Sequence, residues 1–155
     1  MKFIGIDPGI TGAVAIINSS KIQLIDSPIF QIKTKKKPDI AGYYQILKQY
    51  TEDSTAIIEE VHAMPGQGGV SGFNFGTAFG IWIGILAALE IPYEFVSPQK
   101  WKRQMGVKGE KDESRTVAFQ LFPHLADQLN LKKHHNRADA LLMAEYCKRR
   151  FSIDG

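Results

Sequence analysis

Cysteine is all but missing from this sequence. The single one, Cys147, excludes an intramolecular disulfide and argues against a cysteine-based zinc centre. A chain without cross-links suits a reducing compartment. No uninterrupted apolar run of membrane-spanning length is present either. The most apolar stretch, "FNFGTAFGIWIGILAALEI" at 73–91, is broken by Asn74, Thr77 and three glycines and closes at Glu90. A span needs roughly 20 predominantly apolar residues, so a buried or interface helix is expected there, and no membrane partner. The opening "MKFIGIDPG" has too short an apolar run before its acid to be a signal peptide, and a cytoplasmic location is expected. Strong charge of one sign is lacking as well. A net charge of +3 permits an anionic partner without requiring one. Internal repeats and a second compositional regime are both absent. The 155 residues therefore read as one domain, 1–155, large enough to bury its own core.

What is present is an alternation of short apolar runs and amphipathic segments. "KFIGID" (2–7) and "GAVAIIN" (12–18) read as strands joined by a hairpin-like link, with Gly9 and Gly12 supplying special backbone angles. "KIQLIDSPIF", from Lys21, reads as a third strand, and "KTKKK" (33–37) as a solvated basic loop. Asp39 caps a helix with Ile40, Tyr44 and Leu47 at helical spacing. "TAIIEEV" (55–61) is a buried strand ending in acids, and 62–72 a glycine-rich loop. A long helix follows over 73–90, with Gly72, Gly76, Gly80 and Gly84 in one stripe that permits close approach. "IPYEFV" (91–96) is a strand, and Ser97-Pro98 opens a short helix through Trp101. An amphipathic helix over 111–122 stops at Pro123, and a last helix runs from about Arg137 to Arg150. Adjacent strands followed by strand–helix alternation predict an α/β fold with a mixed sheet.

Three acids fall at the edges of separate elements: Asp7, the Glu59-Glu60 pair, and Asp139 in "HHNRADALLMAEY" (134–146). Anionic groups gathered beside apolar runs need a compensating cation. Magnesium, with its preference for hard oxygen ligands, is the natural one. Each acid also has a plainer reading: a turn former before Pro-Gly, a strand end meeting water, a complement to a helix N-terminus. Asn136 and His135 share the helical face of Asp139.

Five stretches in order, "IGIDPGITGAVAII", "AIIEEVHAMPGQGGVSGFNFG", "VSPQKWKRQMGV", "KDESR" and "HHNRADALLMAEY", resemble the RuvC-type Holliday junction resolvases. The likeness is to the phage and bacterial branch with a Pro-Gly-Gln-Gly loop and a Trp-Lys pair, and it covers nearly the whole chain. The resemblance implies an RNase H-like fold (a mixed five-stranded sheet flanked by helices). It further implies a homodimer and magnesium-dependent paired nicking of four-way DNA junctions in recombination and repair. Of the family's four acidic or equivalent positions, the first matches Asp7, the second Glu59 rather than Glu60, and the fourth Asp139. The third falls on Asn136, where the related branch commonly reads His-Asp-Arg-Ala-Glu/Asp-Ala. His135 and Arg137 fit this pattern and Asn136 departs from it.

An asparagine keeps shape and a carbonyl oxygen but loses the charge. Either Asn136 is an engineered Asp-to-Asn change that leaves binding without cutting, the favoured reading, or it is native and His135 or the other acids suffice. On this resemblance Asp7 bridges two Mg²⁺ ions per subunit, for which Mn²⁺ can substitute, with Glu59 and Asp139 each holding one. Cleavage leaves a 5′-phosphate and a 3′-hydroxyl. Lys111 matches a family lysine near the scissile phosphate. Lys102, Arg103, Lys108 and Arg115 could join it in a phosphate-contacting face, and Phe73 or Phe75 could stack on junction bases. Phe79 and Trp82 read as packing. Glu60 and His135 are alternative or supporting ligands.

Three rivals stand beside this reading. "DPGITG" also resembles the phosphate loop of actin-like ATPases and sugar kinases, which need two such domains, more than this chain holds. The others are an RNase H-like nuclease for other branched or hybrid nucleic acids, and a non-cleaving junction-binding protein.

Overall fold

A computed structural model of the chain describes residues 1–109 and 112–152. Its centre is a five-stranded mixed sheet of order β3-β2-β1-β6-β7. β1 (Lys2–Asp7), β2 (Ala13–Asn18) and β3 (Lys21–Asp26) form an antiparallel meander. β1 pairs in parallel with β6 (Ser54–Glu59), and β6 with β7 (Tyr93–Val96). Side chains on a strand alternate between faces, and both faces here are covered. Phe3, Ala15, Ile17 and Ile57 pack in one core with the long last helix α6 (His135–Phe151). Ile4, Ile6, Val14, Ile16 and Ile58 pack in the other with α1 (Ile40–Leu47) and α2 (Gly69–Ala88).

Gly5 sets how closely α6 approaches. A Cβ there would collide with the α6 backbone at Ala140 and Ala144. The helix therefore lies directly on β1, and Ala138, Ala140 and Ala144 beside it are fully buried. This contact fixes the height of the α6 N-terminus above the sheet edge where β1 and β6 end.

Several boundaries differ from those expected. The third strand breaks at Ser27-Pro28: β3 stays in the sheet, whereas β4 (Ile29–Ile32) pairs with β5 (Lys35–Pro38) in a separate two-stranded ribbon. The basic loop at 33–37 is thus mostly a strand, turning at Lys33-Thr34. The ribbon is exposed on both faces, so no apolar alternation betrays it. Asp39 does cap α1, its carboxylate accepting from the Gly42 N–H at 3.0 Å. The buried face is Tyr43, Ile46 and Leu47, while Ile40 and Tyr44 are exposed. Gly9 and Gly12 do not take left-handed angles; among the described residues the positive-φ glycines are Gly66, Gly106 and Gly109. Gly12 matters by lacking a Cβ, which would strike the carbonyl oxygens of Asp7 and Gly9.

α2 begins at Gly69, four residues before the expected start, inside the glycine-rich segment. By length and composition α2 would suffice to cross a membrane. Its Ala78, Trp82 and Leu86 are buried in the core, and Trp82 stacks on Tyr43 at 4.0 Å. Phe79 packs against Phe95. Both aromatics are packing residues, as expected. α3 (Pro98–Met105) is longer than expected, capped by Ser97 and ended by Gly106 at φ +76°. α4 (Glu113–Leu121) stops before Pro123, and the short α5 (Ala126–Leu129) leads back to α6.

Candidate active site

Asp7 and Glu59 end the two central parallel strands. Ile6 pairs with Ile58, so the next residues emerge side by side at the carboxyl edge of the sheet. Asp139 joins them from the second turn of α6, positioned by the Gly5 contact. All three are half-buried. Burial, then the charges of Asp139 and Glu59, pushes the Asp7 carboxyl from 3.8 up to about 8, against a 3.2 Å hydrogen bond donated by the Gly9 N–H. Burial also raises Glu59, with Asp139 adding to it, and burial raises Asp139. Several protein groups oppose this. The Trp101 indole N–H donates to Glu59 Oε2 at 2.7 Å. The buried Ser114 hydroxyl lowers the Asp139 carboxyl. The Lys102 ammonium pulls all three carboxyls down.

Glu60 turns away and faces His62 at 3.5 Å, so Glu59 is the member of the pair that joins the cluster. Asn136, one turn before Asp139, donates its amide to the Thr11 carbonyl at 2.6 Å. The amide ties α6 to the β1–β2 turn through a hydrogen bond that a carboxylate, an acceptor only, could not make. His135 lies beside it, its ring nitrogen 3.3 Å from the Lys132 carbonyl, and its charge lowers Asp139. Arg137 clamps the same helix turn to the end of β3. Its guanidinium meets both Asp26 oxygens at 2.7 Å and also donates to the Gln128 carbonyl.

Three carboxylates whose repulsion Lys102 only partly offsets, with the Asn136 amide at the margin, are donors that a hard divalent cation would accept. Among the described residues no three Asp, Glu, His or Cys side chains close into a metal-binding group.

The cations sort into two kinds. Lys102, Arg103 and Lys108 line one open cavity with Gly106 and Gly109. Arg115 is engaged inside the chain, donating to the carbonyls of Leu129 and Asn130 and pairing with Asp112 at 3.3 Å. It ties α4 to the end of α5. Lys111 lies outside the described residues. Phe73 is 74% exposed, free to meet a ligand. Phe75 is half-buried beside Gly9 and lines a cavity with Thr11, Gly68, Val70 and Asn74. Sequence reasoning missed the roles of Trp101, Ser114 and the Arg137–Asp26 clamp. The first two lay in the quoted Trp-Lys and "KDESR" stretches, whereas the clamp joins residues 111 positions apart.

The sheet order and flanking helices are those of the RuvC fold. The structure of "T. thermophilus RuvC in complex with Holliday junction substrate" matches with a TM-score of 0.64 over 97% of this chain and 95% of that one, at 18% identity. A second Thermus thermophilus RuvC structure matches with a TM-score of 0.61 over 98% and 97% of the two chains, at 17% identity. In sequence, the chain is 33% identical over 91 residues to the chloroplastic Holliday junction resolvase MOC1 of Chlamydomonas reinhardtii. That segment is 57% of this chain and 10% of the relative, so the chain spans about a tenth of that protein's length. No family model matches the sequence.

Proposed function

We propose that the chain is a RuvC-type Holliday junction resolvase, an endonuclease that nicks four-way DNA junctions with Mg²⁺ or Mn²⁺ at the carboxyl edge of its sheet. The observation that carries this is the gathering of Asp7, Glu59 and Asp139 from three elements onto that edge, within the RuvC fold. The junction substrate named for the Thermus structure and the resolvase name of the Chlamydomonas relative support it.

Asp7, Glu59 and Asp139 would hold the cations, with the Asn136 carbonyl oxygen as a neutral fourth donor. Bound divalent cations supply Lewis acidity toward the phosphate and a more acidic water. The chain's own residues fix the geometry. Trp101 orients Glu59, Ser114 orients Asp139, and Gly9 holds the Asp7 carboxylate. Lys102 balances the carboxylates, and with Arg103 and Lys108 it draws the phosphate backbone toward them. The resemblance adds Lys111 to the residues expected near the scissile phosphate.

Two such sites suit a substrate that needs two symmetric cuts, so the working unit is a homodimer. Its interface is the outer face of α2, where Gly76, Gly80 and Gly84 have nothing within 4 Å of an added Cβ and Val70 and Phe73 are exposed.

The test is cleavage of a labelled four-way junction with Mg²⁺ by the chain, Asp7→Asn and Asn136→Asp. Nicking abolished in Asp7→Asn supports the site, and nicking retained there removes it. A second reading rests on Asn136, which brings no charge where the resemblance expects one: a protein that binds junctions without cutting. Nicking by Asn136→Asp alone would favour that reading for the chain as it stands.

A further inference from the structure

The β4–β5 ribbon has no work to do in the fold. Every residue from Ile29 to Lys37 is exposed, with Phe30 and Ile32 each at 57%. The segment 29–38 carries Lys33, Lys35, Lys36 and Lys37 and no acid, which is more positive charge than the whole chain's net +3. It is also unusually placed. At its root the Ser27 N–H donates to the Gly12 carbonyl at 2.9 Å, on the turn that follows Asp7. One residue earlier, Asp26 is held by Arg137 of the α6 turn that carries Asn136. At about 3.3 Å per residue, the stretch from Ser27 to Lys33 keeps the tip within roughly 20 Å of that root.

The pairing sorts the side chains by face. Phe30 opposes Lys37 and Ile32 opposes Lys35, so one face presents two apolar groups flanked by two ammonium groups. The tip adds an independent sign. Lys33 sits at φ +56°, a left-handed position that glycine or asparagine fills with less strain. The chain keeps a cation there at a conformational cost, which points to a use for it.

We propose that this ribbon is a second DNA-binding element, which grips the duplex arm adjoining the cut site. A two-stranded ribbon fits the major groove. The lysines meet phosphates on either side, and Phe30 and Ile32 contact sugars and thymine methyls. The inference rests on the nuclease reading above and deepens it, because a strand lying across the carboxylate edge passes the ribbon's root.

The experiment is fluorescence-anisotropy binding of a labelled four-way junction in EDTA over a range of salt, with cleavage measured in parallel. In a variant carrying K33Q, K35Q, K36Q and K37Q, junction affinity is expected to fall about tenfold or more. The slope of log affinity against log salt should drop by two to four units, at about 0.9 for each phosphate no longer neutralised. Its melting temperature should stay unchanged, because these side chains touch no core. Lys33→Gly should hold or raise the melting temperature while weakening binding about two- to threefold.

Unchanged affinity and slope in the four-lysine variant, with the unaltered chain still binding and cutting junctions, overturns the ribbon alone. Absence of all DNA binding by the unaltered chain sinks both readings. If Phe30→Ser with Ile32→Ser turns a dimer into a monomer while the four-lysine variant binds normally, the ribbon is a self-association surface and the inference fails.

Discussion

α6 and α2 are the two long helices, one on each face of the sheet, and both are rich in small residues. α6 presses Ala140 and Ala144 onto Gly5 of β1 and is buried along most of its length. α2 buries only Ala78, Trp82 and Leu86, and its glycines at 76, 80 and 84 face open space. Small residues on α6 are thus required by the chain's own packing, and those on α2 are left for something outside it. The helix that is locked down is the one that carries Asp139. A site built from three elements needs its most distant contributor held to a fraction of an ångström, whereas an interface needs a surface left free.

The same substitution should therefore have opposite signs on the two faces. Gly5→Ala drives a Cβ into the α6 backbone, and urea denaturation should show a loss of about 3 kcal/mol or more, or no folded protein at all. Gly80→Ala adds a methyl in open space and removes a poor helix former, so the monomer should gain up to about 1 kcal/mol. Equal destabilisation of both would erase the distinction between the helices. On the proposed interface Gly80→Trp goes further. It should weaken self-association about a hundredfold in sedimentation or sizing while leaving the melting temperature of the monomer intact.

Much of this contrast was legible in the sequence. The short apolar runs in "KFIGID" and "TAIIEE" mark strands, Asp39 and Ser97 mark helix starts, and the four-residue glycine period marks the stripe on α2. The acids stood out because each lies at an element's edge beside an apolar run. Other features were illegible for physical reasons. The ribbon has no buried face, so no period of two could reveal it. The start of α2 is hidden by Gly68-Gly69, which reads as loop. The roles of Trp101, Ser114 and Arg137 depend on contacts that only the folded chain makes, as does the way the Asn136 amide reaches the Thr11 carbonyl.

The charge gathered under α6 predicts a pH dependence. Asp7 has a folded pKa of about 8 against 3.8 for an ordinary aspartate, so between those values the folded state binds more protons than the unfolded one. Stability from this group is then fully present below about pH 4 and is lost as pH rises through about 8. Without divalent cations the melting temperature should fall by several degrees across that window, at ~2–4 °C per kcal/mol for a chain of this size. Asp7→Asn should flatten the fall. Added Mg²⁺ should raise the melting temperature more at pH 8 than at pH 5, where protons compete for the carboxylate. A cation effect that is equal at both pH values would place the ions elsewhere.

The smallest expected effect probes how the site is steadied rather than what composes it. Trp101 is fully buried on α3, and its indole N–H is the hydrogen bond that lowers Glu59 against burial. Trp101→Phe keeps an aromatic ring in the core and removes that donor. Stability should fall by about 1 kcal/mol, the ordinary worth of one hydrogen bond plus a little lost volume. Glu59, already raised by burial and by Asp139, should rise further, because the group that favoured its ionised form is gone. Cleavage of a junction at saturating concentration should then slow about tenfold at neutral pH. The acidic limb of its pH profile should move to higher pH, and junction affinity in EDTA should be unchanged. A merely structural tryptophan would lower the melting temperature without moving that limb, which separates positioning of the carboxylate from simple packing against the locked face of the sheet.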